Sequence, residues 1–143
     1  MQVIIREAQI LDSESIAQLS IELGYEQNSV IETENRLNYL LQSKNDKVYV
    51  AIQDSIILGW IHAFISYRLE SDPFTEIGGL VVSSNCRGQG IGKLLVSKIN
   101  SWSEKLEYNI RVRCNSKRTS SHKFYEKIAF NNIKTQHVFE KNK

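Results

Sequence analysis

Leu80-Val81-Val82-Ser83-Ser84-Asn85-Cys86-Arg87-Gly88-Gln89-Gly90-Ile91-Gly92-Lys93 is the stretch on which the chain turns. An apolar, β-branched run meets a polar corner, three glycines follow at alternate positions, and a helical pattern begins. Glycines at a helix start let backbone N–H groups approach a ligand without a Cβ in the way. Those N–H groups lack partners within the helix and lie at its positive dipole end, so they suit a phosphate. Two better-known phosphate motifs fail on spacing. A P-loop has four residues between its first glycine and Gly-Lys, then Ser or Thr. Here three residues separate Gly88 from Gly92-Lys93, and Leu94 follows. A dinucleotide fingerprint needs a third glycine where Lys93 stands.

Downstream, Ile91, Leu95, Ile99, Trp102 and Leu106 recur at helical spacing, which predicts a helix lying on a sheet. Residues 109–114 read as a strand. Ser121, Phe124, Tyr125 and Ile128 share one face of a short helix that starts near residues 116–119, and residues 133–141 read as a last strand. Upstream, residues 74–83 form the strand that feeds the corner, and the loop at 70–73 holds the only proline. Residues 47–53 and 56–67 are β-rich, with Asp54-Ser55 as a hairpin turn and Gly59 marking a bulge. Residues 3–6 read as a first strand. Asp12 or Ser13 caps a helix that carries Ile16, Leu19 and Leu23 and ends at Gly24. After a connector at 25–28, a second helix runs from Val30, with Leu37, Leu40 and Leu41 on its buried face, and stops at 43–46. The order βααβββαβαβ is that of an α/β domain with a mixed sheet.

With 143 residues, 41% of them hydrophobic, the chain is expected to be one domain, 1–143, around one core. Cys86 and Cys114 make no disulfide framework and have no metal-ligand spacing, so no metal is expected. The start of the chain is too quickly charged for a signal peptide, and no apolar run reaches membrane-spanning length. A cytoplasmic protein without membrane or nucleic-acid partners is the expectation. The net charge of +2 hides a segregation. Residues 1–43 hold seven acids against two bases, a net of −5, while the rest hold sixteen bases and nine acids, a net of +7. This suggests two kinds of partner surface.

Arg-x-x-Gly-x-Gly, read as Arg87, Gly90 and Gly92 between a strand and a helix, resembles the coenzyme A loop of the GNAT superfamily of N-acetyltransferases. A second block, Asn115 and then Ser121-His122-Lys123-Phe124-Tyr125-Glu126-Lys127-Ile128-Ala129-Phe130, resembles that superfamily's Phe-Tyr pair followed by Gly-Phe. Ala129 stands where glycine is usual; if the position is left-handed, alanine costs on the order of 1 kcal/mol there. The resemblance implies an α/β (α+β), GNAT-like acyl-CoA N-acyltransferase fold, its central mixed, mostly antiparallel sheet flanked by about four helices. It implies acetyl-CoA as co-substrate and a primary amine as acceptor. Backbone amides of Arg87, Gly88, Gln89, Gly90, Ile91, Gly92 and Lys93 would grip the pyrophosphate. The strand at Leu80, Val81 and Val82 would pair with the pantetheine arm, an amide near Val82 meeting the oxyanion. Asn115, Ser121 and Tyr125 complete the cofactor set that the resemblance implies.

For the chemistry, Tyr125 is the expected acid. A phenol with a pKa near 10 is a workable donor to a thiolate whose acid has a pKa of roughly 8.5. The resemblance implies Glu76 as the base, where one branch of the superfamily keeps a glutamate and other branches let water chains remove the proton, or as a charge that selects a cationic amine. Packing for Tyr125 and solvation for Glu76 are the plain alternatives. Gly78-Gly79 is unusual inside a strand, and either clears space for substrate or forms a bulge. Tyr25, Trp60, His62 and Tyr67 are substrate-facing candidates for which packing is the stronger reading; His122 and His137 read as structural or exposed. The acidic first third and the basic remainder suit a cationic amine and a polyanionic cofactor. The leading reading is therefore transfer from acetyl-CoA to a small cationic amine, by direct attack in a ternary complex. The alternatives are a protein or peptide N-acetyltransferase and a non-catalytic acyl-CoA-binding module. Homodimers are common among proteins of this kind.

Overall fold

The computed structural model describes residues 2–22, 24 and 29–143. The chain divides into two compact units, Met1–Val112 and Arg113–Lys143. The first holds β1 (Ile4–Glu7), α1 (Ser13–Glu22), α2 (Val30–Gln42), β2 (Asp46–Gln53), β3 (Ile56–Ser66), β4 (Phe74–Val82), α3 (Ile91–Leu106) and β5 (Ile110–Val112). The second holds α4 (Thr119–Lys127). The sheet runs β1-β2-β3-β4-β5, antiparallel throughout except for the parallel pair of β4 and β5. This is the mixed, mostly antiparallel sheet with four helices that the sequence implies.

Local chemistry sets the joints. Asp54 and Ser55 take φ of 51° and 66°, the doubly left-handed turn that matches strand twist in a two-residue hairpin. Of the two capping candidates, Asp12 sits in a short 3₁₀ turn before α1, and Ser13 is the first residue of the helix. The Asp12 carboxylate accepts from both terminal nitrogens of Arg6, at 2.8 and 3.0 Å, and from the Gln9 N–H at 2.7 Å. Burial pushes this carboxyl up, but Arg6 and the Gln9 N–H outweigh it and hold it below its ordinary value. Ser29 Oγ accepts the Glu32 N–H at 3.1 Å and caps α2.

The sheet packs helices on both faces. Ala8, Ile16, Leu37, Val48 and Val50 form the core under α1 and α2, with Trp60 and Leu40 at its margin. On the opposite face Ile91, Leu95, Val96 and Ile99 of α3 are buried against the strands. The bulge expected at Gly59 is present: the β2–β3 register slips there, and a Cβ on Gly59 would lie 2.8 Å from the Val81 carbonyl. That close backbone approach is why the residue is glycine.

Three expectations need correction. Leu41 and Leu106, assigned to buried faces, are 39% and 40% exposed, because each lies at the edge of its helix's apolar stripe. The last strand, expected at 133–141, is not formed: residues 131–143 are in no regular element, and Ile133, Val138 and Phe139 are exposed. Alternation alone does not make a strand; its backbone groups need a neighbouring ladder. Leu23 and the connector at 25–28, with Tyr25, lie outside the described residues.

Candidate active site

The site in the first unit is built on β4. Along one edge β4 pairs with β3 over nearly its whole length, but along the other it pairs with β5 only at Thr75, Glu76 and Ile77. Among the described residues, no strand covers the β5-side edge from Gly78 to Val82. The cause is visible in the register. His62 opposes Gly79 and Ala63 opposes Ile77, so Gly78 is an extra residue in a bulge, and bulges bend and twist a strand. An uncovered edge is a template for another extended chain, and Leu80, Val81 and Val82 present it.

Beyond this edge the backbone turns through Ser84–Cys86 and Arg87 into the glycines. Gly88 and Gly90 have φ of 79° and 82°, and a Cβ on either would meet nothing within 4 Å. They are glycine for their conformation, over a surface left open. Gly90 is the N-cap of α3 and supplies no side-chain cap, so the first-turn N–H groups of Ile91, Gly92 and Lys93 face outward with the positive helix end. Arg87, Gly88, Gln89, Gly90 and Lys93 are exposed. An open strand edge that leads into an uncapped helix N-terminus fits a molecule with an amide-bearing arm and a pyrophosphate.

The face of β4 toward α1 and α2 explains both halves of Gly78-Gly79. A Cβ on Gly78 would lie 3.0 Å from His62 Nδ1 and 3.3 Å from the Phe64 ring. One on Gly79 would lie 2.9 Å from the Trp60 ring. Of the two alternatives for this pair the bulge is formed, and the space the glycines leave is taken by three rings of the protein itself. Trp60 and His62 line a pocket of about 160 Å³ with Ile16 and Ser20 of α1, Arg36, Leu37 and Leu40 of α2, and Val48. The Trp60 indole N–H is buried with no hydrogen-bond partner among the described residues. Glu76 faces Phe64 in register on the same strand pair and is partly buried. Tyr67 is 63% exposed beyond the end of β3, away from the pocket lining.

Sequence reasoning named His62 but missed its partner, Asp46. His62 Nε2 lies 2.8 Å from Asp46 Oδ1, and the Ser43 hydroxyl donates to Asp46 Oδ2 at 2.6 Å. Asp46 reads in the sequence as part of a helix stop, and His62 as a substrate-facing candidate for which packing is the stronger reading. Nothing in the spacing joins them, since the link is a β2–β3 cross-strand contact.

The second unit gathers the other block. Tyr125 is buried in α4, its ring edge-on to Phe124 at 5.0 Å and to Phe130 at 5.4 Å. Burial pushes the phenol well above its ordinary value, the neighbouring Cys114 adds to this, and Arg118 opposes it. The Asn115 side chain accepts the Lys117 N–H at 2.9 Å, and its carbonyl accepts from a His122 ring nitrogen at 2.9 Å. The structural reading of His122 therefore has a partner. Ser121 is half-buried in the first turn of α4. Ala129 has φ of 76°, the left-handed conformation anticipated for it.

Comparison with known proteins decides the family. The sequence model of the acetyltransferase (GNAT) family matches residues 14–130. The chain belongs to the acetyltransferase (GNAT) family. As a GNAT protein it is an acyltransferase that uses acetyl-CoA, and the β4 edge and glycine corner fit that co-substrate. None of the curated proteins compared with the chain matches it. Among solved structures, a transcriptional regulator from Bacillus halodurans C-125 is 22% identical, with a TM-score of 0.88 over 97% of this chain and 99% of that one. AAC(6')-Iy, in complex with the bisubstrate analogue CoA-S-monomethyl-acetylneamine, is 18% identical, with a TM-score of 0.88 over 99% of both chains. The aminoglycoside 6'-N-acetyltransferase AAC(6')-Ih from Acinetobacter baumannii is 16% identical, with a TM-score of 0.87 over 99% of both. At these identities the likeness is one of fold. No helix among the described residues of this GNAT chain is long and apolar enough to cross a membrane.

Proposed function

We propose that this GNAT protein acetylates a primary amine on a small cationic molecule by direct attack in a ternary complex. The observation that carries the donor half is the uncovered β4 edge, Leu80 to Val82, leading into the uncapped N-terminus of α3. Bound acetyl-CoA supplies the activated acetyl group. Leu80, Val81 and Val82 offer backbone groups to its arm, and the amides from Arg87 to Lys93 take the pyrophosphate, with Asn115 and Ser121 assigned to the same ligand. An amide near Val82 stabilises charge on the acetyl oxygen. Tyr125 keeps its proton at neutral pH as any phenol does, and burial pushes the phenol further up. The rise makes full transfer to a thiolate more uphill, so Tyr125 acts by holding its O–H against the leaving sulfur as charge builds there.

The acceptor half rests on the pocket under α1 and α2, where Trp60 supplies a flat apolar wall beside Gly78 and Gly79, and on Glu76, outside the pocket lining but opposite Phe64 in the β3–β4 register, as a carboxylate that draws an ammonium. Some of the solved structures of like fold act on or bind aminoglycosides, and the acidic first third of this chain is consistent with a polycationic acceptor. The family match spans both compact units, which supports one catalytic domain over 1–143. Two free cysteines agree with a cytoplasmic location. We also propose a homodimer in which the exposed tail carrying Ile133, Val138 and Phe139 packs against a second copy. The test is thiol release from acetyl-CoA with neamine, spermidine and a short N-terminal peptide. Turnover with the first two supports the reading, turnover with the peptide alone replaces the acceptor class, and tight coenzyme A binding without turnover leaves a binding module.

A further inference from the structure

We propose that His62, held by Asp46, is the group that takes the proton from the acceptor ammonium, which assigns Glu76 to charge selection alone. This rests on the acetyl-transfer reading above. The argument begins with the hydrogen bond between His62 Nε2 and Asp46 Oδ1, 2.8 Å long. An ionised carboxylate only accepts, so the ring nitrogen facing it carries the hydrogen. In a neutral imidazole the other nitrogen then has a bare lone pair. That nitrogen, Nδ1, lies over Gly78, where a Cβ would come within 3.0 Å of it. Among the described residues it has no hydrogen-bond partner. Gly78 is the bulged residue where β4 parts from β5, two residues before Leu80. At about 3.3 Å per residue Gly78 lies roughly 7 Å along the strand from Leu80, where the edge assigned to the acetyl arm begins.

Asp46 is itself fixed by the Ser43 hydroxyl at 2.6 Å, so the ring is locked in orientation from behind. The side chains of His62 and Asp46 are 21% and 14% exposed, open enough for a ligand and sheltered enough for the pair to hold. In the step, an N–H bond of the acceptor ammonium breaks and an Nδ1–H bond forms. The freed nitrogen lone pair attacks the thioester carbonyl, and the imidazolium, balanced by Asp46, later gives its proton to water. The second proton lost from nitrogen ends on the departing sulfur. Among the described residues, the charged groups on the elements packed about the ring are Asp46 from β2, Glu76 from β4, and Arg36 from α2, whose own neighbour is Glu32 at 3.8 Å. From α1 the pocket receives only Ile16 and Ser20, which do not titrate in this range.

The experiment has two arms on the full-length protein. Long-range proton–nitrogen spectra without substrate should show His62 with its hydrogen on Nε2; a ring protonated on Nδ1 overturns the proposal. In the second arm, thiol release with neamine is followed against pH. His62→Gln, which keeps a hydrogen-bonding side chain beside Asp46, should lower kcat/KM about 10²- to 10³-fold and abolish the acid limb, with KM for acetyl-CoA unchanged. Asp46→Asn, whose amide can donate as well as accept, no longer holds the hydrogen on Nε2 and should lower kcat/KM, the spectra then showing mixed tautomers, with folding checked by thermal melting. An acid limb unchanged in His62→Gln overturns the proposal, as does its loss in Glu76→Gln alone. Absence of turnover by the unaltered protein with neamine, spermidine and peptide instead sinks the acetyl-transfer reading, and the proton-transfer proposal with it.

Discussion

Replacing Ala129 by glycine should stabilise the protein, and the geometry at the end of α4 sets the size of the effect. The Phe130 N–H bonds the Tyr125 carbonyl at 3.0 Å and the Ala129 N–H bonds the Glu126 carbonyl at 3.3 Å. These are the paired bonds of a Schellman cap, in which the residue after the C-cap is left-handed and is most often glycine. The accompanying apolar contact is present as the Tyr125–Phe130 ring pair at 5.4 Å. Ala129 meets this demand at φ 76°, at a strain of about 1–2 kcal/mol for an L-residue with a Cβ. Glycine removes the strain but adds about 0.4–1 kcal/mol of unfolded-state entropy. The difference is a gain of about 0.5–1 kcal/mol, seen as a Tm raised by a few degrees. Urea titration of Ala129→Gly against the parent should show a higher midpoint at unchanged slope. A midpoint that is equal or lower refutes the reasoning, because the cap would then hold alanine without strain.

Tyr125→Phe should lower the acetylation rate with affinity for coenzyme A nearly kept, as read by steady-state kinetics beside calorimetric binding. The same variant tests the burial of the phenol. Its folded value is raised above the ordinary 10.0, so its contribution to stability is complete below pH 10 and is lost as pH climbs above it. Tyr125→Phe should therefore flatten the alkaline fall in Tm, leaving the part that comes from other groups raised chiefly by burial, Tyr49 and Cys114 among them. Gly90→Ala meets no neighbour but must hold φ 82°; it should destabilise by about 1 kcal/mol and weaken coenzyme A binding, measured by calorimetry. Removing residues 133–143 should convert a dimer into a monomer in sedimentation velocity, and an unchanged mass excludes the tail as the contact.

Much of this molecule was readable because its signals are local. The Asp54-Ser55 turn, the helical run from Ile91 to Ile99 and the glycine corner depend on neighbours a few residues away, and all appear where expected. The Ala129 conformation follows from its place after a helix end. What escaped depends on partners distant in sequence. The tail at 131–143 has the alternation of a strand without a ladder to join. Asp46 and His62 meet only because β2 and β3 pair with Asp46 opposite Phe64, a register that no spacing rule states. Leu41 and Leu106 show the limit of periodicity: it finds the apolar stripe, but not how wide a stripe the sheet covers.

The bulge at Gly78 ties the two halves of the site together. A strand with a regular register would continue its ladder with β5 and close the edge that the donor arm needs. It would also place side chains where the rings of Trp60, His62 and Phe64 now lie. Inserting one residue does both things at once: it frees the β5-side edge of β4, and it sets two consecutive glycines beneath the acceptor pocket. Gly79→Ala separates these effects from a plain loss of packing. Its Cβ would sit 2.9 Å from the far end of the Trp60 ring, so the indole must tilt into the pocket while the strand edge stays open. The expected result is a stability loss of about 1–3 kcal/mol, a raised KM for the amine and a nearly unchanged KM for acetyl-CoA. Equal rises in both constants would mean that the bulge itself has collapsed, and that its geometry, more than ring clearance, is what the glycine pair secures.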